Sequence, residues 1–118
     1  MSEMPKDPDC LFCKIVDGSI PADVVGETEH SVAFRDIDPQ APTHVLVIPK
    51  RHEPDVASLA AADPEATVDL LLHSRRVADE LGSGSYRLVF NTGADAHQTV
   101  FHCHGHVLSG RPLGWPPG

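Results

Sequence analysis

The sequence lacks the features of several protein classes. No apolar run approaches the roughly 20 residues that a membrane helix needs. Residues 1–10 contain no basic stretch that leads into an apolar run, so we expect no secretory signal. Basic residues are scarce, since 9 Lys+Arg stand against 17 Asp+Glu and the formal net charge is -8. Because this charge repels nucleic-acid backbones and anionic membrane surfaces, we expect neither a polynucleotide nor a membrane as partner.

Cysteine is also rare. Three cysteines, an odd number in a chain without a signal, argue against a disulfide framework and for reduced thiols, and we therefore expect a cytoplasmic protein. The 118 residues suffice for a single domain, residues 1–118, with a modest core. We expect residues 1–8 to be flexible, and residues 111–118 to form a C-terminal extension that carries the only tryptophan, Trp115.

The order of turn residues and apolar runs predicts an α+β fold. A short N-terminal helix follows Asp9 and ends at Gly18, and one long helix is capped by Asp63 and ends at Gly82. The apolar face of the long helix is expected to consist of Val68, Leu71, Leu72, Ala78 and Leu81. Five predicted strands, without regular βαβ alternation, indicate an antiparallel sheet and cover residues 22–27, 31–37, 44–48, 86–90 and 99–108.

Three histidines alternate in the last predicted strand. Successive side chains of a strand point to opposite faces, so His102, His104 and His106 are expected to share one face. Three interpretations are open at this point. The histidines could form a solvated face of an edge strand, a three-histidine metal site, or a nucleophilic centre in which one imidazole attacks phosphorus and a neighbour handles the proton.

The neighbouring residues favour phosphate chemistry. Gln98 and Thr99 precede the triad and Asn91 ends the preceding strand, and their neutral hydrogen-bond donors suit phosphate oxygens better than metals. His44 begins a different strand and could orient a triad imidazole or buffer its charge.

A second cluster of side chains is a candidate metal site. Cys10 and Cys13 form a C-x-x-C pair, which His52 and His102 would complete as a closed tetrahedral site for one structural zinc. The alternative is that the two cysteines are small buried apolar residues that happen to lie three apart. No organic cofactor is expected.

Several of these motifs together resemble one known family. The segment His102–Leu108 resembles the histidine-triad signature, and the resemblance extends to Phe34–Lys50, to the Gln98–Val100 stretch and to the ending Trp115–Gly118. From about Leu11 to the C-terminus, the chain is similar to the histidine-triad (HIT) superfamily and, within it, to the nucleotide-binding Hint branch. A HIT-like antiparallel fold follows from that resemblance.

The resemblance also implies roles for individual residues. His104 would be the nucleophile that forms a nucleotidyl-imidazole intermediate, assisted by His106, with His44 and His102 completing the histidine network. Asn91 and Thr99, with Gln98 beside them, would bind the α-phosphate. Asp36 would accept hydrogen bonds from the ribose, and the purine would be enclosed by Phe12, Ile15, Phe34 and Ile37. Competing structural roles exist, because Asp36 could be a turn residue and Phe12 or Ile15 could belong to the core.

The implied activity is hydrolysis of purine nucleoside 5′-phosphoramidates, or related AMP conjugates, to the nucleoside monophosphate. Two alternatives are a nucleotide-binding interaction module with little turnover and a dinucleoside polyphosphate hydrolase, which the ending Trp115–Gly118 disfavours. The family further suggests a homodimer in which residues 111–118 lie near the interface and Trp115 approaches the partner's site. The chain departs from the family pattern at His97, where glycine is usual, and at Gly105, which replaces an apolar spacer.

Overall fold

The structure, a computed structural model, describes residues 4–118. Its fold is α+β, as predicted, with five strands in one antiparallel sheet of order β1-β2-β3-β5-β4. None of the helices in this part of the chain is long and apolar enough to cross a membrane. The elements are α1 (Leu11–Val16), β1 (Val24–Glu27), β2 (Ser31–Arg35), β3 (Thr43–Pro49), α2 (Val56–Ala62), α3 (Pro64–Leu81), β4 (Tyr86–Phe90), a 3-10 turn (Ala94–Ala96) and β5 (Gly105–Ser109).

Residues 1–3 of the segment expected to be flexible lie outside the described residues. In the described part of that segment, the Pro5 carbonyl accepts a hydrogen bond from the backbone N–H of His52 at 2.7 Å.

The central strand β3 divides the interior into two layers. All seven of its residues are buried. Val45 and Val47 face the core formed with α2 and α3, whereas Leu46 and Ile48 face the N-terminal helix α1 on the other side of the sheet. Because side chains alternate along a strand, His44 shares the second face, and so does His106, which pairs with Leu46 across the β3–β5 ladder.

The predicted apolar face of the long helix is wrong. Val68, Leu71 and Leu72 are exposed, as is Leu81 at the helix end, and of the predicted set only Ala78 is buried. The buried face instead contains Ala66, Leu70, His73, Ser74, Val77 and Ala78. This face is hard to recognise in the sequence because it contains two polar side chains. Both are hydrogen-bonded: Ser74 donates to the Leu70 carbonyl and His73 contacts Ser31. Polar residues with partners can be buried at little cost.

The last strand is shorter than predicted, because it begins at Gly105 and not at residue 99. The preceding segment makes its hydrogen bonds elsewhere: the backbone N–H of Cys103 donates to the Glu53 carbonyl at 2.7 Å, and that of Gln98 donates to the Gly93 carbonyl. His102, at a bend, and His104 therefore precede the strand, and of the three histidines only His106 belongs to β5.

The sequence analysis also missed a helix and misplaced a cap. Helix α2 begins after Asp55, whose carboxylate accepts a hydrogen bond from the backbone N–H of Ser58. Helix α1 is capped by Cys10 and not by Asp9, because the Cys10 sulfur accepts from the backbone N–H of Cys13.

A buried polar network fastens α3 to the first two strands. Ser31 Oγ and Thr28 Oγ1 both donate to Asp69 Oδ2, at 2.8 and 2.7 Å. Since the single hydroxyl proton of Ser31 is used in this way, His73 Nδ1 is the donor in its 2.7 Å contact with Ser31 Oγ. Burial lowers the pKa of His73, so the neutral ring is favoured. The other side of this ring lies against Gly26, where an added Cβ would come within 2.8 Å of His73 Nε2.

We therefore expect Gly26→Ala to destabilise the protein by about 1–3 kcal/mol, the usual cost of overpacking a well-packed site. In a His73→Ala background the same substitution should cost much less, because the clashing ring is gone. Urea denaturation of the four proteins in this double-mutant cycle measures the coupling. Equal costs in both backgrounds would show that the Gly26–His73 contact does not limit the side chain at position 26.

Candidate active site

Two cavities meet beside the histidines. One, of about 620 Å³, is lined largely by polar side chains and is called the polar cavity here. The other, of about 440 Å³, is lined mainly by apolar side chains and is called the apolar cavity. Both are lined by Asp36, Thr99, His104 and His106. A ligand with one apolar and one polar part could therefore lie across these four residues.

His104 lies at this junction and is held in one tautomer. Its Nδ1 is 2.7 Å from the main-chain carbonyl of His102. A carbonyl can only accept, so Nδ1 carries the proton and, in the neutral ring, Nε2 keeps its lone pair. Burial lowers the pKa of His104, although the hydrogen bond to His102 and the charge of Asp36 oppose this effect. The ring is therefore neutral at neutral pH, which is the form that can act as a nucleophile.

His106 contacts a fourth histidine from β3. Its Nδ1 lies 2.9 Å from His44 Nε2, and Asp36 Oδ2 lies 3.5 Å from the same His44 nitrogen. Burial, with smaller contributions from His104 and His44, lowers the pKa of His106 to about 4. Burial also lowers the pKa of His44, against the opposing charges of Asp36 and Asp38. Within residues 4–118, the Nε2 of His106 is buried and has no hydrogen-bond partner, so a ligand atom would satisfy it.

Most of the residues predicted to bind substrate line one of the two cavities. Asn91 lines the polar cavity, and Thr99 and Asp36 line both. The apolar cavity is lined by the four residues predicted to enclose a purine, Phe12, Ile15, Phe34 and Ile37. Phe12 also packs edge-on against His104, with ring centroids 5.0 Å apart.

Gln98 and Trp115 line neither cavity in the single chain. The buried amide of Gln98 donates to the carbonyls of Pro54 and Val100 and accepts from the backbone N–H of Gly93. Its hydrogen bonds therefore hold its own loop and join that loop to the segment at Pro54. Trp115 is 82% exposed and lies 6.0 Å from the Arg87 guanidinium. Pro117, from the same tail, does line the polar cavity.

The sequence analysis missed Asp38 and Gln40, which also line the polar cavity. These residues lie between the predicted strands 31–37 and 44–48, directly before His44. Proximity to a predicted site histidine was the available signal.

His102 belongs to a different cluster and lines neither cavity. Its ring is completely buried. Its Nε2 is 2.8 Å from the Pro49 carbonyl and therefore carries a proton, which leaves the Nδ1 lone pair directed at the other cluster members. Its Nδ1 is 3.4 Å from Cys10 Sγ, 3.5 Å from Cys13 Sγ and 3.2 Å from His52 Nδ1. These are the four residues that the sequence predicted as metal ligands.

The donor set and its spacing fit a tetrahedral zinc ion. In a tetrahedron, Zn–N bonds of about 2.0–2.1 Å and Zn–S bonds of about 2.3 Å place two nitrogens about 3.3–3.4 Å apart and a nitrogen and a sulfur about 3.5–3.6 Å apart. The observed distances of 3.2 to 3.5 Å lie close to these ranges. Burial raises the pKa of the Cys13 thiol and so favours its protonated form. A bound cation would instead favour the thiolate. The hydrogen bond from His102 Nε2 to Pro49 is the support that a metal-binding histidine usually has.

Comparison with known proteins shows the family of this chain. The sequence profile of the HIT domain family matches residues 17–113. The chain belongs to this family. A HIT-like protein of Synechocystis, described as uncharacterized, is 48% identical over 111 residues, which cover 93% of this chain and 97% of that protein.

Solved structures of HIT proteins are also similar. A HIT family hydrolase from Legionella pneumophila has 46% identity and a TM-score of 0.86, over 93% of this chain and all of that one (100%). A histidine triad nucleotide-binding protein from Candida albicans has 33% identity and a TM-score of 0.75, over 92% of this chain and 83% of that one.

The structure accommodates both departures from the HIT pattern. His97 adopts the left-handed conformation, with φ of 67°, that favours glycine, and it lines the polar cavity. At Gly105, an added Cβ would come within 2.9 Å of Leu88 and 3.0 Å of Phe90. The space that an apolar spacer would fill is thus occupied by two side chains of β4.

Proposed function

We propose that this HIT protein is a hydrolase of the Hint branch that cleaves purine nucleoside 5′-phosphoramidates or related AMP conjugates. One observation carries the proposal. The nucleophilic form of His104 is fixed by the carbonyl of His102, at the junction of an apolar and a polar cavity. Such a junction can hold a nucleoside on one side of the reacting phosphorus and the leaving group on the other. That relatives of this chain are described as HIT family hydrolases supports the same class of reaction.

The apolar cavity suits a purine base. Its walls include the rings of Phe12 and Phe34, which meet edge to face with centroids 5.6 Å apart. A flat aromatic base gains from burial against such rings. Asp36 lies where the two cavities join, so its carboxylate can accept hydrogen bonds from ribose hydroxyls next to the base.

The reaction follows from the protonation states. His104 Nε2 attacks phosphorus, and the P–N bond breaks as the leaving amine takes a proton from His106 Nε2. Water then displaces His104 from phosphorus and gives a proton back to His106 Nε2, and the nucleoside monophosphate is released. Asn91 and Thr99 supply neutral donors for the phosphate oxygens, the kind of preorganised stabilisation that lowers barriers for charge development.

The first test is release of AMP from an adenosine alkylphosphoramidate by the purified protein and by His104→Ala. We expect turnover in the unmodified protein and its loss in the variant, because no other side chain replaces the attacking nitrogen. Rapid quenching followed by peptide mass spectrometry should find the nucleotidyl group on His104.

His30→Ala is the matched control, since His30 lines neither cavity and is not part of the Cys/His cluster. Turnover in His104→Ala equal to that of the parent would refute the mechanism. Nucleotide binding without turnover in the parent would indicate a nucleotide-binding module. Cleavage of a diadenosine polyphosphate faster than the phosphoramidate would indicate a dinucleoside polyphosphate hydrolase.

We further propose that Cys10, Cys13, His52 and His102 bind one structural zinc, which would fix the N-terminal helix to the segment that carries His104. Elemental analysis of protein purified without chelators should find about one zinc per chain. Cys13→Ser should lower the zinc content and the melting temperature, because a bound metal stabilises the folded state.

Cys103→Ala provides the control for the zinc measurement. Cys103 is buried in the core on the other face of the sheet, where burial raises the pKa of its thiol to about 12. This variant is expected to keep the metal even if it is less stable. Unmodified protein without bound zinc would contradict the proposal.

We also propose that the protein is a homodimer. The exposed face of α3 presents Val68, Leu71 and Leu72, which are 56%, 44% and 57% exposed. Strand β4 is an edge of the sheet on which Tyr86 is also exposed. Contiguous exposed apolar surface of this kind is typical of an interface. In the dimer that the resemblance implies, the exposed Trp115 would approach the partner's site.

Leu72→Glu should convert the dimer to a monomer, because a buried unpaired charge is costly at an apolar interface. Light scattering coupled to size exclusion gives the mass directly. Val24→Glu changes an exposed valine on the opposite edge strand β1 and should leave the mass unchanged. A single-chain mass for the unmodified protein would show that the α3 face has another role.

A further inference from the structure

The backbone N–H of Gln40 contacts the catalytic histidines from outside the triad. It donates to His44 Nδ1 at 3.0 Å. A main-chain N–H can only donate, so this ring nitrogen must be the acceptor and carry no proton. Neutral His44 therefore keeps its single ring proton on Nε2.

The position of the His44 proton determines which nitrogen of His106 is protonated. His44 Nε2 is 2.9 Å from His106 Nδ1, so the proton on His44 makes His106 Nδ1 the acceptor. Neutral His106 then carries its own proton on Nε2, the buried atom that lacks a partner in the described chain. Asp36 Oδ2, at 3.5 Å from His44 Nε2, attracts the His44 proton in the same direction but from a longer distance.

The Gln40 main chain is itself held in place. Arg111 donates from Nη2 to the Gln40 carbonyl at 2.8 Å, and the Gln40 side-chain amide donates to the Asp38 carbonyl at 3.0 Å. The loop between β2 and β3 therefore cannot turn its N–H away from His44 without breaking these contacts. A rigid donor discriminates between two tautomers better than a mobile one, because it cannot rotate to suit either.

We propose that the main-chain N–H of Gln40 is a positioning group that sets the tautomers of His44 and His106, so that the proton of His106 is on the nitrogen available to the leaving amine. This inference rests on the proposed hydrolase function. Without the Gln40 donor, His44 can take its proton on Nδ1. Its Nε2 would then become an acceptor, His106 would move its proton to Nδ1, and no proton would be available to the leaving group.

Both rings must be neutral for this arrangement to matter. Burial lowers the pKa of each ring, and for His106 the value is about 4. Each ring therefore carries one proton at neutral pH, and only the tautomer decides which nitrogen has it. A doubly protonated ring would donate from both nitrogens and would need no positioning group.

The test compares two proteins that differ only in the main-chain N–H of residue 40; both lack the contact of the Gln40 side chain with Asp38. The reference protein is Gln40→Ala, which keeps the backbone donor. The test protein carries the same methyl side chain at position 40, but the amide bond that precedes this position is replaced by an ester, which has no N–H. Gln40→Pro removes the same donor by a genetic route and guards against failure of the ester protein to fold.

Two readouts separate positioning from a merely structural role. In the first, ¹⁵N NMR of the imidazoles should show protonated Nε2 on His44 and His106 in the reference protein and a shift toward Nδ1 protonation in the ester protein. In the second, kcat/KM is compared for two substrates. One is an adenosine alkylphosphoramidate, whose amine needs a proton. The other is adenosine 5′-p-nitrophenyl phosphate, whose phenolate leaves without one.

Relative to the reference, the ester protein should lose about tenfold or more in kcat/KM on the phosphoramidate, since general acid catalysis contributes about 10²–10⁴-fold. The p-nitrophenyl substrate should lose much less. An equal loss on both substrates, or unchanged tautomers in the ester protein, would overturn the inference. If the unmodified protein cleaves neither substrate, the proposed function fails, while the NMR comparison still decides whether Gln40 sets the tautomers.

Discussion

The hydrogen bond from His104 Nδ1 to the main-chain carbonyl of His102 is the contact on which the site depends. It fixes both the orientation of the His104 ring and the nitrogen that remains free. His104 is not in the sheet, so the ladder does not hold it. Its position depends on His102, whose ring is fixed by the Pro49 carbonyl on one side and by the Cys/His cluster on the other. A buried side chain with partners at both ring nitrogens is a firm support for a neighbouring nucleophile, in the way that second-layer contacts usually orient reactive groups.

Charge presents a second constraint. The chain has a formal net charge of -8, yet the proposed substrate is an anion. None of the residues that line the polar cavity is lysine or arginine. Arg35, which lines the apolar cavity, lies 3.6 Å from Asp23. The site must therefore stabilise a phosphate with neutral donors and with imidazole protons. Lowered histidine pKa values fit this scheme, because a neutral imidazole can attack or donate, whereas the doubly protonated ring cannot attack.

Much of the architecture could be predicted from local sequence signals. Asp63 and Gly82 mark the ends of the long helix correctly, and β-prone runs locate β3 and β4. The face of α3 could not be read in the same way. Exposed Leu71 and Leu72 look like core residues, whereas buried His73 depends on Ser31, a partner 42 positions away. Long-range partners of this kind leave no periodic signal.

The same limit applies to the site. Alternation predicted that the three histidines share one face, but this prediction assumed a strand that begins only at Gly105. The backbone N–H of Cys103 instead donates a hydrogen bond to the carbonyl of Glu53, which lies in a loop distant in sequence. As a result His102 faces the cysteines, while His104 and His106 face the cavities. The side-chain amide of Gln98 suits phosphate oxygens, yet in the structure it bonds to Gly93 in its own loop and to Pro54 in another.

The two cavities are built by different parts of the chain, and this division bears on specificity. The lining of the apolar cavity includes residues of α1 and β2, elements that are also packed into the core around Phe12 and Phe34. The polar cavity is bounded by the loop at Asp38 and Gln40, the turn at His97 and the tail at Pro117. Loops accept substitutions more easily than packed elements do. A strained His97 in a position suited to glycine is one such substitution. The side proposed to bind the nucleoside is therefore constrained by the stability of the fold. On the side proposed for the leaving group, the turn at His97 and the tail at Pro117 can change more easily than the loop at Gln40, whose N–H contacts His44.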